Sequence, residues 1–194
     1  MEIGIKTDKG IVRDKNQDAY YVSFEEIYPL FIIADGMGGH KAGETASEMA
    51  IEIINKNFKQ SLLSSEEEIK KRIRNSIYDA NEKIYKKAMK YEKFSGMGTT
   101  VTMAYIMNDK IFVGHVGDSR AYILRNNKFF QITEDHSLVE ELIKNGSISK
   151  EEARCHPQRN IITRAVGTSL EIMADIIVEP KYKDDILLLC TDGL

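Results

Sequence analysis

Residues 100–132 read TVTMAYIMNDKIFVGHVGDSRAYILRNNKFFQI. Apolar runs in this stretch are separated by turn signals at Asn108-Asp109, at Gly117-Asp118-Ser119 and at Asn126-Asn127. Because short apolar runs joined by tight Asn-rich turns are typical of hairpins, the stretch predicts four consecutive antiparallel strands. We therefore expect the domain to be built on antiparallel sheet.

Upstream of this meander, short alternating or apolar runs predict strands, and longer stretches with apolar residues at helical spacing predict helices. Ser65 is followed three residues later by Glu68, which is the pattern of a capping box at a helix start. The predicted strands are 2–6, 19–24 and 30–34, and the predicted helices are 42–58 and one that begins near Ser65.

Downstream of the meander, two short helices and two strands are predicted. The helices are 135–146 and 149–155, and the strands are 172–178 and 186–190. No repeat or linker interrupts the chain, so residues 1–194 are predicted to form a single domain. The predicted class is α+β, with two layers of antiparallel sheet and two long helices.

Composition narrows the possible partners and compartment. The 194 residues carry 27 basic and 30 acidic side chains, a net charge of −3, so no global field favours nucleic acid or an anionic membrane. The sequence contains no apolar run long enough for a membrane span and no signal-peptide pattern. Only two cysteines are present, which suits a reducing compartment. We expect a cytoplasmic protein.

Four aspartates stand at the ends of predicted strands, where side chains from several strands can converge. They are Asp18, Asp35, Asp118 and Asp192. Taken one by one, each can also be an ordinary turn former or helix cap. Asp35 and Asp192, however, each follow an apolar strand and precede a glycine, so a charged side chain stands directly at the end of a buried segment. Carboxylate oxygens are hard ligands, and the set predicts Mn²⁺ or Mg²⁺ rather than zinc.

The loop 35–44, DGMGGHKAGE, also suggests a nucleotide site, since glycines between a strand and a helix often bind phosphate. The details do not fit. Glu44 stands where a Walker motif needs Lys, and Lys41 stands where a dinucleotide motif needs its third Gly. Because Asp35 would repel phosphate unless a cation lay between them, metal binding is the better interpretation.

Five short motifs occur in a fixed order along the chain: RDKNQD at 13–18, DGMGGH at 35–40, GTT at 98–100, VGDSR at 116–120 and TDGL at 191–194. In this order they resemble the bacterial type 2C protein serine/threonine phosphatases of the PPM family. The resemblance extends from Met1 to Leu194 and implies a four-layer α/β/β/α sandwich, in which helix pairs flank two antiparallel sheets. It also implies a small flap subdomain at residues 134–168.

The resemblance assigns roles to the aspartates around a centre of two Mn²⁺ or Mg²⁺ ions. It implies that Asp35 bridges both ions, that the Gly36 carbonyl binds one of them and that Asp192 binds the other. Asp18 would act mainly through water. Asp118 would hold, together with Asp192, a third and weaker ion.

Arg13 receives a role from the same resemblance, and His40 is a candidate because it is the only histidine in the glycine loop. Arg13 would bind the substrate phosphate, for which a guanidinium fork is suited; an ordinary surface ion pair is the alternative. His40 is the candidate general acid for the leaving oxygen, and the alternative is a histidine that supports the ligands or faces solvent.

The resulting functional hypothesis is metal-dependent dephosphorylation of phosphoserine and phosphothreonine proteins, by in-line attack of a water activated by two cations. Expected partners are phosphorylated proteins, including a cognate serine/threonine kinase. The alternatives are a phosphatase-like regulatory or binding module that has lost catalysis, and a hydrolase of small phosphoesters. Relatives continue beyond the position of Leu194, so the resemblance also predicts a missing C-terminal part that supplies one more aspartate.

Overall fold

The structure is a computed structural model that describes residues 1–11, 13–23, 29–39, 41–59 and 63–194. Within these ranges the chain forms nine strands and four α-helices. In order they are β1 (Asp18–Val22), β2 (Leu30–Met37), α1 (Ala42–Phe58), α2 (Glu66–Lys90), β3 (Gly98–Thr99), β4 (Val101–Met107), β5 (Lys110–Val116), β6 (Arg120–Arg125), β7 (Lys128–Gln131), α3 (Leu138–Lys144), α4 (Lys150–Arg154), β8 (Asp175–Pro180) and β9 (Ile186–Cys190).

The large sheet has the strand order β1-β2-β4-β5-β8, and β3 adds a short ladder to the end of β2. All of its pairings are antiparallel. The small sheet has the order β7-β6-β9 and is also antiparallel. The α+β prediction with two antiparallel sheets is therefore confirmed.

The hairpin turns of the meander use asparagine as predicted. Asn108 has a φ of 55° between β4 and β5. Asn126 and Asn127 have φ values of 51° and 58° between β6 and β7. Asparagine tolerates this left-handed region better than most residues, and two such residues in a row give the turn whose twist suits a hairpin.

Helices α1 and α2 cover one face of the large sheet. The predicted isoleucine stripe of α2, at 69, 73, 77 and 84, is fully buried in the main core cluster. Burial of each such side chain stabilises the fold by roughly 1.5–3 kcal/mol. Ser65 caps α2 as predicted by accepting from the Glu68 N–H, but the Glu68 carboxylate accepts from Ser64 rather than from Ser65.

The two sheets pack face to face through a second cluster of apolar side chains. Ala104 and Val113 of the large sheet lie against Ala121 and Ile123 of the small sheet. Of the helix pairs predicted to flank both sheets, the described residues contain the pair on the large sheet. The other two helices, α3 and α4, pack against each other within residues 134–168.

One predicted strand is wrong. Residues 2–6 alternate apolar and polar side chains, but they form no strand, and Ile5 is 45% exposed. Alternation predicts a strand only where a partner strand and a buried face are present, and no described strand pairs with this segment. The strand predicted at 172–178 begins later, at Asp175.

Residues 134–168 form an excursion with a narrow neck. Thr163 donates its N–H to the His136 carbonyl over 2.8 Å, and Leu138 donates to the Ile161 carbonyl over 2.9 Å. Both predicted short helices are present beyond this neck, and Ser149 and Glu152 form a capping box at the start of α4. Helix α3 has no buried residue. The body of the excursion is therefore exposed while its ends are held together.

Candidate metal and phosphate site

Two of the four aspartates face each other across the edge of the large sheet. Asp18 on β1 and Asp35 on β2 are direct partners in the antiparallel register, so their side chains lie on the same face. The hydroxyl of Thr191 donates to Asp18 Oδ2 over 3.0 Å. Since Thr191 directly precedes Asp192, this bond brings the third aspartate to the same place.

The backbone of Asp35 is held by two consecutive threonines. Asp35 donates its N–H to Thr100 Oγ1 over 2.9 Å. Its carbonyl accepts from the Thr100 N–H and from Thr99 Oγ1, each at 2.9 Å. Both threonines are buried. Their side-chain roles were not predicted, although buried hydroxyls in a strand are a sign that such partners exist.

The same threonine reaches the corner that carries Asp118. Thr100 Oγ1 and Ser119 Oγ are 2.7 Å apart in a buried hydrogen bond. Gly117 has a φ of 115°, and a Cβ there would lie 2.6 Å from Thr100 Cγ2, so only glycine fits the corner. Asp35 and Asp118 are thus positioned by one shared hydrogen-bond network.

The electrostatics show that the four predicted aspartates act on one another. Burial raises the pKa of Asp35 to about 8, with further contributions from the negative charges of Asp18, Asp192 and Asp118. Burial likewise raises the pKa of Asp118 to about 6, and the charge of Asp192 adds to it. The site therefore brings several carboxylates close together, and the Arg120 charge offsets only part of the rise in the pKa of Asp118.

Divalent cations fit this donor set. No three Asp, Glu, His or Cys side chains within the described ranges meet closely enough to hold an ion as they stand. A buried Asp35 that lies near the charges of three other aspartates is nevertheless the environment that a hard cation stabilises, and carboxylate oxygens are the ligands of Mn²⁺ and Mg²⁺. Rotation of these side chains about a cation would remove their mutual repulsion.

The glycine loop after β2 brings the start of α1 against the site. Gly36 is buried, and a Cβ on it would lie 2.1 Å from the Gly43 carbonyl oxygen. Gly38 has a φ of 134°. The glycines thus serve the close approach of strand and helix, which agrees with the rejection of a nucleotide loop.

Two buried histidines connect the Asp118 corner to the neck of residues 134–168. His115 Nε2 lies 3.0 Å from the Glu134 carbonyl, and the rings of His115 and His136 are 4.8 Å apart. Burial lowers the pKa of His115 to about 4 and also lowers the pKa of His136. Both rings are therefore neutral near pH 7. Their link to the neck is a tertiary contact without a local sequence signal.

The family model described as Protein phosphatase 2C matches residues 11–194. The chain belongs to the protein phosphatase 2C family. It is 43% identical over 197 residues to the serine/threonine phosphatase stp of Listeria welshimeri, and the match covers 100% of this chain and 78% of that protein. The family resemblance predicted from the ordered motifs is confirmed.

Solved structures agree with this membership of the protein phosphatase 2C family. The Streptococcus agalactiae serine/threonine phosphatase superimposes with a TM-score of 0.94 at 40% identity, covering 100% of this chain and 80% of that one. The catalytic domain of the serine/threonine phosphatase PstP, solved with two manganese ions, has a TM-score of 0.84 at 31% identity. That match covers 97% of this chain and 76% of the PstP chain.

Arg13 and His40 are the remaining predicted site residues of this protein phosphatase 2C. Arg13 is exposed, and none of the ion pairs found among the described residues includes it. His40 lies outside the described residues.

No helix in the described part of the chain has the length and hydropathy that a membrane crossing needs.

Proposed function

We propose that the chain is a Mn²⁺- or Mg²⁺-dependent phosphatase that removes phosphate from phosphoserine and phosphothreonine in proteins. The observation that carries the proposal is the position of Asp35 in a buried site beside three other carboxylates, where burial and their charges raise its pKa to about 8. Relatives in the same family are named serine/threonine phosphatases. One related catalytic domain holds two manganese ions. We place the enzyme in the cytoplasm.

In this proposal each aspartate would hold metal in a different way. Asp35 would be a ligand of both core ions, the Gly36 carbonyl of one and Asp192 of the other. Asp18 would act through water, and Asp118 would hold a third, weaker ion together with Asp192. When bound, the two shared ions supply a water of lowered pKa and neutralise charge on the phosphoryl oxygens during in-line displacement.

The protein's own contribution is to position these groups before substrate arrives. Thr99 and Thr100 hold the backbone of Asp35, and Ser119 holds the adjacent corner to Thr100. Because such a network is buried and has its partners inside the protein, it restricts where the carboxylates can go. Rigid placement of ligands lowers the reorganisation needed at the moment of reaction.

Arg13 and His40 complete the proposed catalytic set. Arg13 is exposed before β1 without a described ion-pair partner, which leaves its guanidinium available for a substrate phosphate. We assign His40 as the general acid that protonates the leaving serine or threonine oxygen.

Residues 134–168 are the proposed flap over the protein substrate. Their neck is attached to the corner beside Asp118, since the His136 N–H donates to the Gly117 carbonyl over 2.8 Å. An exposed body on a neck next to the site is placed to contact a phosphorylated protein beyond its phosphate. The expected substrates include a cognate serine/threonine kinase.

The deciding experiment measures phosphate release from a phosphothreonine peptide as Mn²⁺ is titrated. Activity should appear with metal and disappear in excess chelator. Asp35→Asn should abolish it, whereas Asp109→Asn, which changes an exposed aspartate at the β4–β5 turn, should not.

Two results would contradict the proposal. A folded, metal-binding protein without turnover would support the alternative of a regulatory module. Faster turnover of sugar phosphates than of phosphopeptides would support a hydrolase of small phosphoesters.

A further inference from the structure

Asn81 on α2 is a fully buried polar side chain outside the proposed site. Its Nδ2 donates to the carbonyls of Ser169 and Leu170 over 3.0 and 3.1 Å. Its Oδ1 accepts from the Gly167 N–H over 2.7 Å. One amide thus binds three backbone groups of residues 166–170, which we call the exit turn because they end the 134–168 excursion.

The exit turn also lies directly on α2. Gly167 has a φ of 91°, and a Cβ there would be 2.2 Å from Ile84 Cγ2. No other residue type fits this contact without a shift of the helix side chain or of the turn. Asn81 and Gly167 therefore place the turn in one position on the helix.

On its other side the exit turn is bonded to the backbone beside Asp35. Val166 and Thr99 exchange two backbone hydrogen bonds, each of 2.9 Å. Thr99 Oγ1 in turn donates to the Asp35 carbonyl over 2.9 Å. The exit turn thus has two separate anchors: Thr99 holds Val166 on the side of Asp35, and Asn81 holds residues 167–170 on the side of α2.

Asn81 is not needed to attach α2 to the sheet. The isoleucine stripe of α2 is already fully buried in the main core, and the Asn81 amide bonds to three backbone groups of the exit turn. A buried amide that is satisfied by one loop restricts that loop, because any other loop position would leave the amide without partners.

We propose that Asn81 is a positioning residue that fixes the exit of the flap and so the orientation in which the flap meets a phosphorylated protein. This inference rests on the proposed function. Asn81 acts through the exit turn and contacts neither phosphate nor metal, so its effect falls on the recognition of protein substrates rather than on the chemistry of a small phosphoester.

The test compares Asn81→Ala with Ser76→Ala, which is a matched change on the same helix. Ser76 is also fully buried, but its hydroxyl has no hydrogen-bond partner among the described residues. For Asn81→Ala we expect the KM for a phosphothreonine peptide to rise about tenfold. We expect kcat/KM for p-nitrophenyl phosphate and the Mn²⁺ affinity to change by less than about twofold.

Hydrogen exchange gives a second readout that does not depend on activity. In Asn81→Ala the Gly167 amide should exchange at least about tenfold faster, because its buried acceptor is gone. Ser76→Ala should match the wild type in exchange and in both activities. Equal losses for peptide and small ester, or an unchanged peptide KM with unchanged exchange, would overturn the inference.

A milder variant covers the case in which Asn81→Ala does not fold. Ser169 is exposed, and its hydroxyl donates to the Glu171 carbonyl over 2.6 Å, closing the same turn. Ser169→Ala should raise the peptide KM in the same direction by a smaller factor, and an unchanged KM would count against the proposal. A wild type inactive on the peptide would overturn the proposed function itself, whereas an active wild type with an unchanged Asn81→Ala would overturn only this inference.

Discussion

Gly117 donates its backbone N–H to His136 Nδ1 over 3.0 Å. Because Nδ1 accepts this bond, the ring proton lies on Nε2, which is 3.1 Å from Asp175 Oδ2 and donates to it. The His136 N–H also donates to the Gly117 carbonyl. The corner that precedes Asp118 and the neck of the flap are thus joined by two hydrogen bonds between the same two residues.

Replacing His136, which accepts the hydrogen bond from the Gly117 N–H, should destabilise the corner at residues 117–119. We expect His136→Phe, which keeps a ring of similar size, to lower the free energy of unfolding by about 1–3 kcal/mol because the buried Gly117 N–H loses its partner. Urea unfolding measures the change. His156→Phe, at a partly exposed histidine of the flap, is the control, and equal stability of the two variants would contradict the role assigned to His136.

The raised pKa of Asp35 predicts an unusual dependence of stability on pH in the metal-free protein. Between pH 6.5 and 8 the folded protein still binds the Asp35 proton, since its pKa is about 8, while the unfolded chain has released it. The unfolded state therefore binds fewer protons, and stability should fall as the pH rises through this window. Thermal unfolding in chelator should show the fall, and Asp35→Asn should flatten it.

The affinity for metal should depend on pH in the opposite direction from the stability, because a cation must displace the Asp35 proton. We expect the apparent Mn²⁺ affinity to increase as the pH rises towards about 8 and to level off above it. Calorimetry in two buffers of different ionisation enthalpy should detect the released proton. Equal heats in both buffers at pH 7 would show that Asp35 is already ionised.

Substitution of single aspartates should distinguish the residues that bind the tight ions from those that bind the weaker ion. Asp35→Ala should weaken tight Mn²⁺ binding by more than the roughly 10- to 100-fold loss that removal of an outer partner causes. Asp118→Ala should leave tight binding largely intact and lower the turnover, since Asp118 is assigned to the weaker ion. Calorimetric titration distinguishes the two variants, and an equal loss of tight affinity would show that the assigned roles are wrong.

The proposed flap, residues 134–168, should be more mobile than strands β4 and β5 of the large sheet. Helix α3 has no buried residue, whereas β4 and β5 are almost wholly buried. We expect amides of residues 138–161 to exchange much faster than those of β4 and β5 in native-state hydrogen exchange. Protection of both segments to the same degree would indicate a rigid excursion.

Local sequence patterns, namely turn residues and hydrophobic periodicity, predict most of the fold. The meander, both long helices and the strand Ile186–Cys190 follow from turn residues and periodicity, because these elements are determined by neighbours in sequence. The alternating residues 2–6 lack a described partner strand, and no local pattern could report that. The Glu68 carboxylate accepts from Ser64 instead of Ser65, a shift of one residue that periodicity does not resolve.

The sequence predicts the charged residues of the candidate site, but it does not predict the residues that hold them in place. Asp18, Asp35, Asp118 and Asp192 were selected because they end strands, and the pKa of Asp35 shows that they influence one another. The side-chain roles of Thr100 and Asn81 were not predicted, since their partners lie 65 and 86 or more residues away. Hydrogen bonds of such long range follow only from the assembled sheet.

The bond from Thr191 to Asp18 joins residues that are 173 positions apart. During synthesis, β1 and β2 can pair as soon as both have left the ribosome, but β9 is made last among the described strands. The four carboxylates therefore come together only after β9 and Asp192 have left the ribosome. We expect nascent chains halted before β9 to bind Mn²⁺ weakly and to remain catalytically silent, so the cell gains an active phosphatase only when the sandwich has been completed.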